Sequence, residues 1–257
     1  MTKWASLQLA TPSLDYTPGS LFLSDNAKTG LSINVSIARS CRPTKACAQY
    51  CYGLESRIRL PNALIKQVEN YDRFEYLARA PEEELHREVC AIAHNVLAKQ
   101  DFLRFFGVGD LQPGSLRFIN ALADEAPELS LWVSTRKLDL AARLTTAKNV
   151  FTMLSADDTS KTAYIERALA LTKQRKPNFF MAWVQTSAVK PPNWSTVVFA
   201  EHHMASRAAF TANGNADPKT CPATVKGGAT HTDSCQACRF CFDAKVRRKL
   251  PRGPNSK

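Results

Sequence analysis

Six short, continuous apolar runs separated by helix-like stretches constrain this chain more than any other feature. They fall at 31–38, 102–108, 129–134, 149–155, 178–185 and 196–200. They are rich in Val, Ile, Phe and Trp and bounded by Pro, Gly, Asn or Ser. A strand apolar at successive rather than alternate positions has no wet face, which points to a parallel sheet covered on both faces. Helical patterns fill the gaps. Residues 61–79 and 82–99 form a pair broken at Pro81, with Leu85, Val89, Ile92 and Val96 as a buried stripe. Further helices fit 114–125, 137–147 and 160–174, and segments 113–126 and 137–147 have the length of crossovers between parallel strands. The fold class expected is α/β. Residues 1–212 form a partial (β/α)6, TIM-like barrel, and residues 213–257 form a Cys-rich metal-binding extension with a basic tail.

In such folds chemistry gathers at the carboxyl ends of the strands. The residues just beyond the apolar runs are polar while the runs are not. They include Ser40-Cys41-Arg42-Pro43, Gly107-Val108-Gly109-Asp110, Ser134-Thr135-Arg136-Lys137, Ser155-Ala156-Asp157-Asp158 and Glu201-His202-His203.

The 257 residues carry 34 Lys and Arg against 23 Asp and Glu, a net charge of +11. Residues 239–257 hold seven basic residues against one acidic, so over half of that excess lies in the last 19 positions. Arg239, Lys245, Arg247, Arg248, Lys249 and Arg252 read either as a solvated terminus or as an arm for the phosphates of DNA or RNA. The start of the chain lacks the apolar core of a signal peptide, and no apolar run reaches 18 residues, so no membrane association is expected. A cytoplasmic setting follows, where clustered Cys signals metal or catalysis rather than disulfides.

Seven of the eight Cys fall into two groups. Cys41, Cys47 and Cys51, spaced C-x5-C-x3-C, follow the first strand among Arg42, Lys45 and Gln49. Three thiolates on one loop at the mouth of a sheet can hold a metal centre with one position open. Cys221, Cys235, Cys238 and Cys241 are spaced C-x13-C-x2-C-x2-C. The run of two C-x2-C steps places three thiolates in one tight turn, as ferredoxin-type loops do for a 4Fe–4S cluster, with zinc as the alternative metal. Cys90 stands apart. With His86 and His94 it lies at i, i+4 and i+8 on one helical face, either as a ligand row or as the flank of the apolar stripe.

A strand, a three-Cys loop with Tyr50 before its last Cys, a six-stranded parallel core and a C-terminal Cys group together resemble the radical S-adenosylmethionine (SAM) superfamily. The usual loop there is C-x3-C-x2-C. The resemblance implies a 4Fe–4S cluster on Cys41, Cys47 and Cys51, SAM on its open iron, and an auxiliary cluster at the C-terminal group. Gly107, Gly109 and Asp110 resemble that family's glycine-rich segment facing the SAM amino group, and Ser134 would join them in binding the cofactor. More closely, 25–30, Cys51-Tyr52-Gly53, Gly109-Asp110 and 132–137 resemble a family of tailed-phage proteins over roughly 20–160 and the last Cys group. That origin implies the host cytoplasm.

Three functions are weighed. The first is an iron–sulfur, radical-SAM-like enzyme modifying a nucleic acid or nucleotide, with Asp110 as the mouth acid and Arg136 and Lys137 holding an anionic group. The second is a base-exchanging enzyme like the transglycosylases that insert 7-deazaguanine, with Asp110 and Asp157 or Asp158 as acid/base and nucleophile on a flipped base. The third is a non-enzymatic nucleic-acid-binding protein with structural metals, its affinity falling steeply with salt.

Overall fold

The structure, a computed structural model, describes residues 19–26, 29–54, 60–185, 192–200, 239 and 241. Six strands form one sheet: β1 (Ser32–Ile33), β2 (Phe102–Phe105), β3 (Ser130–Thr135), β4 (Val150–Asp157), β5 (Phe179–Gln185) and β6 (Val197–Ala200). Each neighbouring pair is parallel, and the order across the sheet is the order along the chain. The helices are α1 (Ile37–Ser40), α2 (Lys45–Gln49), α3 (Pro61–Leu77), α4 (Glu82–Leu97), α5 (Pro113–Glu125), α6 (Leu138–Ala141) and α7 (Thr162–Gln174), with a short 3-10 turn at Tyr52–Leu54.

The strands divide their side chains between two unlike faces. Leu103, Phe105, Leu131, Val133, Leu154, Ala156 and Met181 point into one core with Phe74 and Leu77 of α3, Leu85 and Val89 of α4, Phe118 and Leu122 of α5 and Ala168 of α7. The other face carries Phe102, Trp132, Phe151, Met153, Phe180, Ala182 and Val197, and the residue joining them from outside the sheet is Cys241. The helix-covered face is called outer and the opposite face inner, labels that carry no statement about closure of the sheet. Among the described residues the helices therefore cover the outer face alone, not both. The strands still read as continuously apolar because the inner face is apolar too.

The helical layer is held by close approach. A Cβ on Gly114 would meet the Phe74 carbonyl oxygen at 2.4 Å, so only glycine lets α5 lie this close to α3. Arg117 of α5 donates to the carbonyls of Leu77 (3.0 Å) and Ala80 (2.6 Å), satisfying the end of α3. Pro61 and Pro113 sit at the first positions of α3 and α5, where a missing N–H costs nothing. At the start of β4, Asn149 Nδ2 donates to the carbonyls of Ala123, Ala126 and Leu129, fixing the turn between α5 and β3.

Four boundaries differ from expectation. The first strand is two residues long, not eight. At its end the Asn34 side chain accepts the Val108 N–H at 2.9 Å, and the chain turns into α1 at Ile37. β2 stops at Phe105 because Phe106 takes a left-handed φ of 59°. β4 runs on to Asp157, so that carboxylate belongs to the strand itself. The helix expected at 137–147 is the single turn α6. Asn120 Oδ1 accepts the Thr145 N–H and draws the chain away. No described helix is long and apolar enough to cross a membrane.

Candidate functional site

The first Cys group sits on the connection between β1 and α3, and two polar clasps hold it over the carboxyl ends of the strands. In the first, Ser40 Oγ donates to the Ser36 carbonyl (2.6 Å) and accepts the Asp110 N–H (2.9 Å). This joins the end of α1 to the loop after β2 and brings Cys41 beside Asp110. In the second, Thr44 caps α2, its Oγ1 accepting the Cys47 N–H (3.2 Å) and donating to Asp157 Oδ2 (2.5 Å). The Ala46 N–H adds a bond to Thr159 Oγ1 (2.9 Å).

The three thiols share one electrostatic environment. Burial pushes the Cys41 thiol well above its ordinary range, and the charge of Asp110 and the other two sulfurs add to the effect. Cys51 is pushed up to about 11, by burial first and then by Cys47, while the N–H groups of Gly53 and Leu54 and the charge of Arg136 oppose the rise.

Arg136, just past β3, points its guanidinium toward Cys47 and Asp157. Its Nη1 lies 2.8 Å from Asp157 Oδ2, a buried ion pair. On the same face, two residues back along β3, Ser134 Oγ is buried without a hydrogen-bond partner, as is Nε of Arg104 on β2. The Arg104 guanidinium lies 4.7 Å from the ring centroid of Trp132.

The two carboxylates behave oppositely. Asp110 is buried, and its Oδ1 accepts from Thr135 Oγ1 (2.6 Å) and the N–H groups of Leu111 (2.7 Å) and Arg136 (3.3 Å). Burial still outweighs these donors and holds its carboxyl above the usual range. It does not cap α5, whose N-cap is Gln112. Burial would also raise Asp157, but the Arg136 charge, then Thr44 and Thr159, outweigh it and hold the carboxyl below the usual range. Besides Thr44 on Oδ2, its Oδ1 accepts from Thr159 N (3.0 Å), Thr159 Oγ1 (2.9 Å) and Ser160 Oγ (3.3 Å). Tyr164 of α7 is close enough to feel both acids, and its hydroxyl donates to the Ser155 carbonyl at 2.9 Å.

Gly109 has φ +87°, and a Cβ there would meet the Val35 carbonyl at 2.4 Å. At Gly107 it would lie 3.0 Å from Asn34 Oδ1 and 3.2 Å from Arg104 Cζ. Gly109 is thus required by the backbone itself, which presses the loop bearing Asp110 against Val35 and Ser40, whereas at Gly107 the neighbours are side chains that need give only a few tenths of an ångström.

Of the second Cys group, Cys241 is buried on the inner face. Arg239 has φ 53°, and its Nη1 pairs with Asp101 Oδ1 at 2.9 Å, just before β2. Arg239 therefore lies at the amino end of the strands, opposite the first group. Cys221, Cys235, Cys238, Lys245, Arg247, Arg248, Lys249 and Arg252 lie outside the described residues. The row His86, Cys90 and His94 is regrouped. His86 and Cys90 converge with Glu125 of α5, and His94 is not in the group.

The sequence reading missed Thr44, Arg104 and Tyr164. Only Arg104 left a signal, as the one charge inside an apolar run.

The model of the family described as Gene product 88 matches residues 10–244. The chain belongs to the Gene product 88 family. This family is of phage type, in keeping with the phage resemblance of 25–30 and 132–137. The match takes in both Cys groups and all eight cysteines, and ends before the basic residues from Lys245 onward. No curated protein and no solved structure matches the chain.

Proposed function

We propose that this Gene product 88 protein is an iron–sulfur enzyme of radical-SAM type acting on a nucleic acid or nucleotide, built on a partial (β/α)6 barrel. Sequential parallel strands with helices on the outer face alone support the barrel. The observation that carries the function is the pairing of three thiols with two orphaned polar groups and a buried guanidinium. Nε of Arg104 and Oγ of Ser134 are buried without hydrogen bonds on the inner face, and Arg136 lies two residues beyond Ser134 with its charge directed at Asp157 and Cys47. Such groups are costly to bury unless something polar answers them.

Cys41, Cys47 and Cys51 would hold a 4Fe–4S cluster. That cluster, when bound, would supply the electron for reductive cleavage of SAM. The remaining work falls to the chain. Arg136 offers a fork to a carboxylate or phosphate while offsetting thiolate charge. Asp110 stands beside Cys41 as an acceptor for an ammonium group. Ser134 adds a hydroxyl, and Trp132, Phe151 and Met153 below it exclude water. Zinc on the second Cys group and a second iron–sulfur cluster remain the two assignments for that site, and the basic tail would meet phosphates. Base exchange gains less support at Asp157, since each of its oxygens already has a partner, which leaves Asp110 and Asp158 to carry that reading.

The test is anaerobic reconstitution with iron and sulfide, followed by a 5′-deoxyadenosine assay with SAM and dithionite. Wild type should bind at least about four iron per chain. Replacing Cys41, Cys47 and Cys51 together by Ser should remove about four iron and abolish 5′-deoxyadenosine. A colourless wild-type protein holding zinc alone would overturn the proposal.

A further inference from the structure

On the outer layer, away from the strand ends, three unlike donors converge. His86 and Cys90 lie one helical turn apart on α4, so their side chains leave the same face. Glu125 is the last residue of α5. From Cys90 Sγ the separations are 3.8 Å to His86 Nδ1, 3.5 Å to His86 Nε2 and 3.6 Å to Glu125 Oε1. His86 Nδ1 stands 3.6 Å from Glu125 Oε2. Among the described residues this is the group of three metal-ligating side chains whose donor atoms all lie within 4.8 Å.

We propose that His86, Cys90 and Glu125 form a binding site for a divalent ion of the zinc class. Three observations carry the proposal, and none depends on the function proposed above.

The first is spacing. Bonds of about 2.3 Å to sulfur and about 2.0–2.2 Å to nitrogen and oxygen, at tetrahedral angles, place donors about 3.3–3.6 Å apart. With His86 Nδ1 as the donor, the separations of 3.8 Å to Sγ and 3.6 Å to Glu125 Oε2, and of 3.6 Å from Sγ to Glu125 Oε1, meet that pattern with a shift of a few tenths of an ångström. The second is chemistry. Imidazole, thiolate and carboxylate are the three donor types zinc accepts, and one thiolate with one carboxylate neutralises its charge. The third is rigidity. Leu85, Val89 and Ile92 of α4 share a core with Ile119 and Leu122 of α5, so both backbones are fixed before any ion arrives.

The same trio could be read as a nucleophile, base and orienting acid. Two features oppose that. The carboxylate faces the thiol itself and so disfavours thiolate in the absence of a cation. The thiol also lies mid-helix, where neighbouring backbone N–H groups are consumed by the helix and none is free for an oxyanion. A bound ion removes the first difficulty and needs nothing from the second. The side chains of His86 and Glu125 are 61% and 42% exposed, so a fourth position opens to water.

The experiment uses full-length protein stripped with a chelator. Alkylation of Cys90 by N-ethylmaleimide is followed at the peptide level as zinc is raised from none to about five equivalents, more than the two Cys groups can take, so the other seven cysteines neither enter the reading nor withhold the ion. Zinc should slow Cys90 alkylation by about tenfold or more in wild type. In His86→Ala and Glu125→Gln, both surface changes whose folding circular dichroism checks, that protection should vanish. A Cys90 rate indifferent to zinc in wild type, or equal protection in both variants, overturns the site.

Discussion

The two ends of the sheet's inner face are built from opposite materials. Toward the amino ends lie Phe102, Trp132 and Phe151, with Cys241 joining their cluster and Arg239 tied to Asp101. Over the carboxyl ends lie Ser134, Arg136, Asp157 and the three-Cys loop, with polar atoms left unanswered in the interior. One end gains its stability from apolar burial and asks for nothing. The other is held by ion pairs and hydroxyl clasps and retains buried polar groups, Ser134 Oγ among them, that no protein atom answers. The difference teaches where binding energy is stored.

The sharpest way to break this comparison is a pair of truncations on one strand. Trp132→Ala should cost about 3–5 kcal/mol in urea unfolding, because it empties the apolar end and removes the ring beneath Arg104. Ser134→Ala, two residues away, should change stability by less than about 0.5 kcal/mol, since its hydroxyl has no bond to lose. Equal losses would mean that the polar end is packed for stability after all.

A smaller effect is expected at the clasp. Asp157→Asn leaves Arg136 without its counter-charge while keeping an oxygen for Thr44. Stability should fall by about 2–4 kcal/mol, and the double variant with Arg136→Met should recover part of that loss. A double variant no better than the single one would show that the charge pair is not the cause.

The smallest effect, and the most diagnostic in sign, is pH dependence. The Asp157 carboxyl is held below its ordinary range, so its contribution is present above the unfolded-state value and is lost as pH falls through the folded-state one. Asp110 is held above its ordinary range, so the sign reverses. The fold is favoured at low pH, and stability declines as pH rises from the unfolded-state value through the folded-state one. Asp110→Asn keeps the acceptor for Thr135 and removes the titration. Unfolding measured from pH 4 to 7 should therefore show wild type losing stability relative to this variant as pH rises. A constant difference would place Asp110 outside the buried, desolvated setting described here.

Much of the central sheet was legible in the sequence. β3, β5 and β6 begin and end within one or two residues of the expected runs, because buried parallel strands leave an uninterrupted apolar signature. β1 was overread, since Val35 and Ile37 continue the apolar pattern while Asn34 diverts the hydrogen bonds. The 137–147 helix was overread because the stop signal, Asn120 capturing Thr145, comes from another helix. The three-Cys loop and the acids Asp110 and Asp157 were legible as polar residues at strand ends. Their division of labour was not, because it depends on which donors surround each one. Glu125 as partner to His86 and Cys90 was hidden for the same reason: it lies 35 residues from Cys90, and only the packing of α4 on α5 brings it near.

The bond from Thr44 to Asp157 spans 113 residues, and that from Ala46 to Thr159 spans as many. Closing so long a loop carries an entropic cost that only a nearly assembled sheet can meet, and non-local pairings of this kind form late. As the chain is made, the first Cys group leaves the ribosome well before the strand that will anchor it. The loop spends that interval without its second clasp, its thiols not yet gathered or buried. Order of synthesis thereby sets order of maturation: the sheet must reach its fourth strand before the loop has a fixed shape to offer any ligand.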